Sequence, residues 1–251
     1  MGRGTWWARP VAALVAAAFV AGACGGDDDD SASGATTTTE DQATTTTEGT
    51  AAPTAPELSD SEIEDILAAA WLTDEQAQLP IKPDHVTGSG LDAPTYNWCD
   101  REDDGGDSLR VARAQQAWEE PVDTAEPHAV WGLSTEIVLY ESGSDGAQQF
   151  LDAFADVATC PPESNDIGTT TFSEALVPPG LPDGSFTVHL EKSFTDGTES
   201  LNYLYTAVPV GDLVGILYVY AQDLVNAGIA AADLAPILAD NLEAANSTLN
   251  D

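Results

Sequence analysis

Residues Leu201–Tyr220 read LNYLYTAVPVGDLVGILYVY. Two runs rich in Val, Ile, Leu and Tyr flank Gly211 and Asp212, and a connection that short leaves room only for a tight turn. The stretch reads as a β-hairpin, 201–210 against 213–220, although Gly-Asp is a weaker turn signal than Asn-Gly. Side chains alternate along a strand, so Tyr203 and Tyr205 share one face, as do Tyr218 and Tyr220 on the next strand, and cross-strand aromatic pairs follow. Such tyrosines either pack beneath helices or form a wall facing a ligand. On the second reading Tyr203, Tyr205, Tyr218 and Tyr220 are the candidate ligand-binding residues.

Working outward, the chain supplies more strands and the helices to cover them. Thr169–Leu176, Ser185–Phe194 and Trp131–Tyr140 (WGLSTEIVLY) are strand-like runs. Ser108–Trp118 fits neither period cleanly, because Leu109, Val111, Ala114 and Trp118 lie off both repeats, and strand is the favoured reading. Between strands, Ser144–Cys160 carries Ala147, Phe150, Leu151, Phe154, Val157 and Ala158 at helical spacing. Ser59–Glu62 forms a capping box ahead of Ile63, Ile66, Leu67 and Trp71, and Thr73–Leu79 adds a short turn before Pro80. The stretch from there to Cys99 holds Pro83, Gly88, Gly90 and Pro94 and reads as loop. A final helix is expected from an Asp233 N-cap to Ala245, with Pro236 in its first turn, where a missing N–H is tolerated. The order predicts an α+β domain: an antiparallel sheet with helices packed on one face, spanning residues 58–251.

The chain ahead of that domain has a different physics. Arg3 and Arg9 precede the apolar run Val11–Ala23, which is too short to span a bilayer and ends on small residues before Cys24. Val20–Cys24 resembles a lipobox, with Ala21 where Leu is commonest, so residues 1–23 read as a cleaved signal peptide and Cys24 as the thiol that receives a lipid. The other reading, an ordinary signal peptide, leaves an odd thiol on an exported protein. Residues 24–57 are mostly Asp, Ser, Gly, Thr, Ala and Pro, with ATTTTE at Ala35–Glu40 and again at Ala43–Glu48. With no apolar face to offset its ordering entropy, this segment is expected to be a disordered stalk with a reach of roughly 30 Å. Its threonine clusters resemble the O-mannosylated stalks of actinobacterial lipoproteins; a plain spacer is the alternative.

Charge and cysteine use agree with export. The chain has 43 Asp and Glu against 7 Lys and Arg. Two of those basic residues precede Cys24 and no acidic one does, so a form beginning at Cys24 is still more acidic. Nucleic acid and anionic lipid are thereby disfavoured as partners, and a solvated surface suited to an extracellular setting is the plain account. After Cys24 only Cys99 and Cys160 remain. An exported pair without nearby ligands is more often a disulfide than a metal site.

No motif for catalysis stands out. His85, His128 and His189 are far apart, and HExxH, GxSxG, a phosphate loop and CxxC are all missing from the sequence. His189 lies between Val188 and Leu190 on an expected strand, so it faces away from both and reads as solvated or satisfied. The acidic stretch Glu102, Asp103, Asp104 and Asp107 lacks the DxDxDG spacing and distal Glu of a calcium loop. No cofactor and no metal are expected.

Several of these segments together resemble the PknH-like extracellular domain, a sensor-type domain found at the outer end of a mycobacterial Ser/Thr kinase and in many actinobacterial lipoproteins. They are IEDILAAAWLTDEQ (Ile63–Gln76), NWC (Asn97–Cys99), EIVLYESGSDGAQQFLDAFADVATC (Glu136–Cys160), LVGILYVYAQ and AADLAPILADNLEAA, in order over residues 58 to 246. The resemblance implies an α+β sheet domain with a cleft and a role in sensing an extracytoplasmic ligand. It departs in two ways: the kinase domain is expected to hold two disulfides where this chain has cysteines for one, and Val157 stands where the family usually has Trp. The resulting expectation is a non-enzymatic ligand-binding or sensor domain, anchored at the cell membrane through lipid on Cys24, its partner a small molecule or envelope component. The alternatives are a secreted hydrolase with a site assembled from scattered residues, and a structural envelope protein.

Overall fold

In the computed structural model, the described residues are 58–77, 82–84, 90–92, 94–95, 99, 105–119, 130–197 and 200–249. The signal segment, Cys24, the stalk, His85, His128, Glu102, Asp103 and Asp104 lie outside them. The strands are β1 (Lys82–Asp84), β2 (Arg110–Glu119), β3 (Gly132–Tyr140), β4 (Glu163–Ser164), β5 (Gly168–Glu174), β6 (Phe186–Phe194), β7 (Leu201–Val210) and β8 (Leu213–Ala221). They form one eight-stranded sheet in the order β1-β2-β3-β8-β7-β6-β5-β4, every pair antiparallel. The hairpin read from Leu201–Tyr220 is present, with Val210 opposite Leu213 and Gly211 at φ +61°, a backbone that favours glycine.

Helices cover the sheet from both sides, which differs from the expected single covered face. On one side lie α1 (Asp60–Ala70) and α4 (Leu224–Leu249), packed on Leu133, Ile137, Leu204, Val208, Leu213 and Leu217. On the other lies α3 (Gly146–Asp156), whose Phe150 and Phe154 meet Val138, Val188, Ala207, Val214 and Ile216. The reason is legible in β3 and β8. β8 is a near-continuous apolar run and every residue of β3 is buried, and a strand buried on both faces needs a covering layer on both. Between α1 and β1 sits α2 (Asp74–Ala77), a single turn closed by reciprocal bonds between Thr73 and Gln76.

The capping box holds. Ser59 Oγ accepts from the Glu62 N–H, and the Glu62 carboxylate accepts from the Ser59 N–H at 2.8 Å. The last helix does not start where expected. It opens at Leu224, with Asp223 Oδ1 accepting from the Val225 N–H at 2.7 Å, so Asp233 and Pro236 are interior. The alanine-rich segment 224–232 has no leucine repeat to announce a helix, yet Ala227 and Ala231 lie flat on the sheet and are buried. Proline there forgoes one intrahelical bond, at a cost of about 3 kcal/mol that the packing of the whole helix offsets.

Candidate functional site

The α3 side of the sheet is built in rows, each row being the set of residues directly opposite one another on successive strands. One row runs Ala117, Ser134, Tyr218, Tyr205, Val188, and the next Glu119, Gly132, Tyr220, Tyr203, Leu190. The four tyrosines therefore meet as the alternation predicts. Tyr205 and Tyr218 stack edge-on at 4.7 Å between ring centres, and Tyr203 and Tyr220 at 5.5 Å. Trp131 joins them, 5.5 Å from Tyr220 and 6.4 Å from Tyr203. Gly132 makes that possible: a Cβ on it would lie 2.8 Å from Tyr220 Cδ2, so only glycine lets the ring lean over β3. Edge-to-face pairs of this kind add about 0.5–1.5 kcal/mol each beyond burial.

A charged chain runs beside the rings, in the next rows of the same face. Arg113 Nε donates to Glu136 Oε1, and the Tyr218 hydroxyl donates to Glu136 Oε2 at 2.8 Å. Arg113 Nη2 also donates to Gln115 Oε1 at 3.2 Å, and Gln115 Nε2 to Ser134 Oγ at 3.2 Å, while Ser134 Oγ donates to the Gln116 carbonyl. Arg113 is 7% exposed and Glu136 2%. A bulge places Arg113 here. Arg110 lies opposite Tyr140 but Ala112 opposite Leu139, so Val111 is the extra residue, and Arg113 and Gln115 turn to the α3 side instead of the α4 side.

Burial pushes the Tyr205 and Tyr218 phenols well above the ordinary value, with the nearby Glu136 carboxylate adding to the effect at Tyr218. Tyr203 is raised more mildly, again by burial. Tyr218 is buried, whereas Tyr203, Tyr205, Tyr220 and Trp131 keep part of their surface exposed. Trp131 Nε1 is buried and has no hydrogen-bond partner among the described residues. The arrangement thus offers an aromatic rim for stacking against the flat or C–H-rich face of a ligand, one buried N–H donor, and an ion pair in the neighbouring rows.

The other sequence candidates lie elsewhere. His189 projects to the α4 side, as alternation requires, where its Nε2 lies 2.9 Å from Asn202 Oδ1 and its Nδ1 3.4 Å from Ser173 Oγ. It is a satisfied histidine on a chain of cross-strand bonds, with Asn202 Nδ2 donating to the Gln222 carbonyl. Asp107 pairs with Arg110 and accepts from the Thr95 N–H, so it is used to pin a loop. Among the described residues no three His, Cys, Asp or Glu side chains gather to hold a metal. Cys99 and Cys160 form the expected disulfide, Cα to Cα 5.9 Å across a separation of 61 residues. In the loop-closure account a bridge of that span stabilises by about 4 kcal/mol. Cys99 sits at φ +68°, and its N–H donates to Glu163 Oε1 at 3.2 Å.

Sequence reasoning missed Arg113, Glu136, Gln115 and Ser134. One signal was available: a glutamate in the middle of the apolar run WGLSTEIVLY, on a strand whose every residue is buried.

No family model matches the chain, and no curated protein does. Among solved structures, the chain is similar to the extracellular domain of PknH from Mycobacterium tuberculosis, at 14% sequence identity and a TM-score of 0.47, over 73% of this chain and 96% of that one. The likeness is weak and concerns the fold.

Proposed function

We propose that the chain is a non-catalytic, extracytoplasmic binding domain of the sensor type, held at the cell membrane by lipid on Cys24, that takes a small molecule or envelope component on the rim formed by Trp131, Tyr203 and Tyr220. The observation that carries the reading is the half-exposed aromatic cluster of Trp131, Tyr203 and Tyr220, continued on the same face by the buried Arg113–Glu136–Tyr218 chain. A buried ion pair contributes little net stability compared with well-packed hydrocarbon, so its use beside partly exposed rings supports a surface kept for something other than stability. The exported reading of Cys24 and the disulfide-stapled domain fit the same setting.

Two measurements test this. Intact mass of the protein from its host's membranes is expected to lack residues 1–23 and to carry acyl chains; an unacylated mass ends the anchoring claim. In nitrogen-15 NMR with a fragment library of neutral sugars and flat heterocycles, the Trp131 indole N–H is expected to shift, and Tyr203→Ala with Tyr220→Ala to abolish the response. Hits that shift only resonances away from the rim defeat the site.

A further inference from the structure

The two edges of the sheet are not protected alike. The β1 edge is three residues long and centred on Pro83, which has no N–H to offer. At the opposite edge, β4 covers β5 only at Thr169 and Thr170, because β4 is two residues long and is preceded by Pro161 and Pro162, which cannot extend the ladder. Beyond Thr170, β5 continues alone. The Ala175 N–H donates to the Thr187 carbonyl and the Gly168 carbonyl accepts from the Asn165 N–H, so odd positions bond inward to β6 and even positions outward. Phe172 and Glu174 therefore direct their N–H and C=O groups off the sheet, and no described residue meets them. Leu176, just past the strand, is 95% exposed. Apart from the charge of Glu174, the strand carries none of the usual protections: no proline, no bulge and no lysine.

We infer that the Phe172–Leu176 edge is a docking site for an extended, basic segment of a partner polypeptide, added to the sheet as a further strand. Main-chain bonds to Phe172 and Glu174 supply the pairing, and charge selects the occupant. Glu163, Asp166, Glu174 and Glu191 are exposed around this edge, against Lys192 alone among the described basic residues, its ammonium over the Phe194 ring. An incoming strand with Lys or Arg at alternate positions meets Glu174 on the edge strand itself, and Glu191, one strand further in opposite Thr171, adds to the negative field. A second copy of this chain brings its own acidic edge and is repelled.

The test uses a ten-residue peptide alternating lysine and threonine, its glutamate counterpart, and amide hydrogen exchange. In the free protein the Phe172 and Glu174 amides are expected to exchange faster than those of Thr171 and Ser173. The lysine peptide is expected to slow both, and Phe172→Pro to weaken its binding about tenfold. That substitution removes an outward N–H and spares every inward bond. Should it unfold the domain, Glu174→Pro and exchange in the wild-type protein give the same reading. Equal binding to wild type and Phe172→Pro, equal binding of the glutamate peptide, or no protection at Phe172 and Glu174 overturns the proposal. So does a doubling of molecular mass that Phe172→Pro abolishes, since the edge then pairs with itself.

Discussion

The two faces of the sheet solve the same burial problem with different materials. On the α4 side the contact is mostly hydrocarbon, interrupted by one row of buried Gln116, Thr135, Thr206 and Thr187: Leu133, Leu213, Leu217 and Val219 meet a helix whose inner face is Ala227, Ala231, Leu234, Leu238 and Leu242. Alanine and Gly215 let that helix come close, since a Cβ on Gly215 would lie 2.7 Å from Leu242 Cδ1. On the α3 side the phenylalanines cover only part of the sheet, and the remainder is phenol, indole and a buried ion pair. The first face is fitted for stability and the second gives some up. Perturbing each in turn measures how far that division goes.

The largest effect is expected at Glu136. Glu136→Ala leaves the Arg113 guanidinium buried without its carboxylate, at a cost of about 3–5 kcal/mol in urea unfolding. The paired replacement Arg113→Met with Glu136→Leu is expected to restore wild-type stability or exceed it, because hydrocarbon of similar volume replaces the ion pair without stranding a charge. A double variant as unstable as the single one means that the ion pair holds the face together, and the contrast between faces disappears. Next comes the hydrocarbon side. Leu238→Ala removes a fully buried side chain above Gly215 and is expected to cost about 3 kcal/mol, with no double variant able to restore it short of refilling the volume. Tyr218→Phe is smaller. It removes one hydrogen bond to a charged acceptor, about 2 kcal/mol, and leaves the ring stack on Tyr205 in place.

How much of this was readable in the sequence divides along the same line. The hairpin, the strand runs and the α1 capping box rest on contacts within a few residues, and short-range chemistry fixed them. The tyrosine pairs followed as well, since alternation and a two-residue turn determine which side chains meet. Three features needed more than local pattern. The single bulge residue Val111 reverses the face of everything after it on β2, which is why Leu109, Val111, Ala114 and Trp118 fit no period and why Arg113 could not be assigned to a face. The first half of α4 is held by tertiary contact of small residues, which leaves no amphipathic repeat, while Asp233 and Pro236 imitate a helix start. The second helical layer was hinted at by the unbroken apolar run of β8, but Ser134, Thr135 and Glu136 interrupt β3, so its burial on both faces could be seen only in the assembled sheet.

Alkali separates the two faces without a cavity or a lost contact. In the unfolded chain every tyrosine ionises near pH 10. In the folded state the Tyr205 and Tyr218 phenols titrate well above that, Tyr218 held also by Glu136, so between the two values the native state keeps protons that the unfolded state has released. Stability is therefore complete below pH 10 and falls as the pH rises past it, by about 1.4 kcal/mol per pH unit for the buried Tyr218 and by less for Tyr205, which keeps part of its surface exposed. Tyr218→Phe and Tyr205→Phe are each expected to remove one share of that slope in urea titrations between pH 9 and pH 11, set as assay limits around the unfolded value near 10. Leu238→Ala lowers the whole curve and leaves the slope alone, because no described tyrosine lies in the α4-side core. If both phenylalanine variants keep the wild-type slope, these phenols are open to water. The α3 side would then be an ordinary wet surface, with no protected ion pair beside the rim.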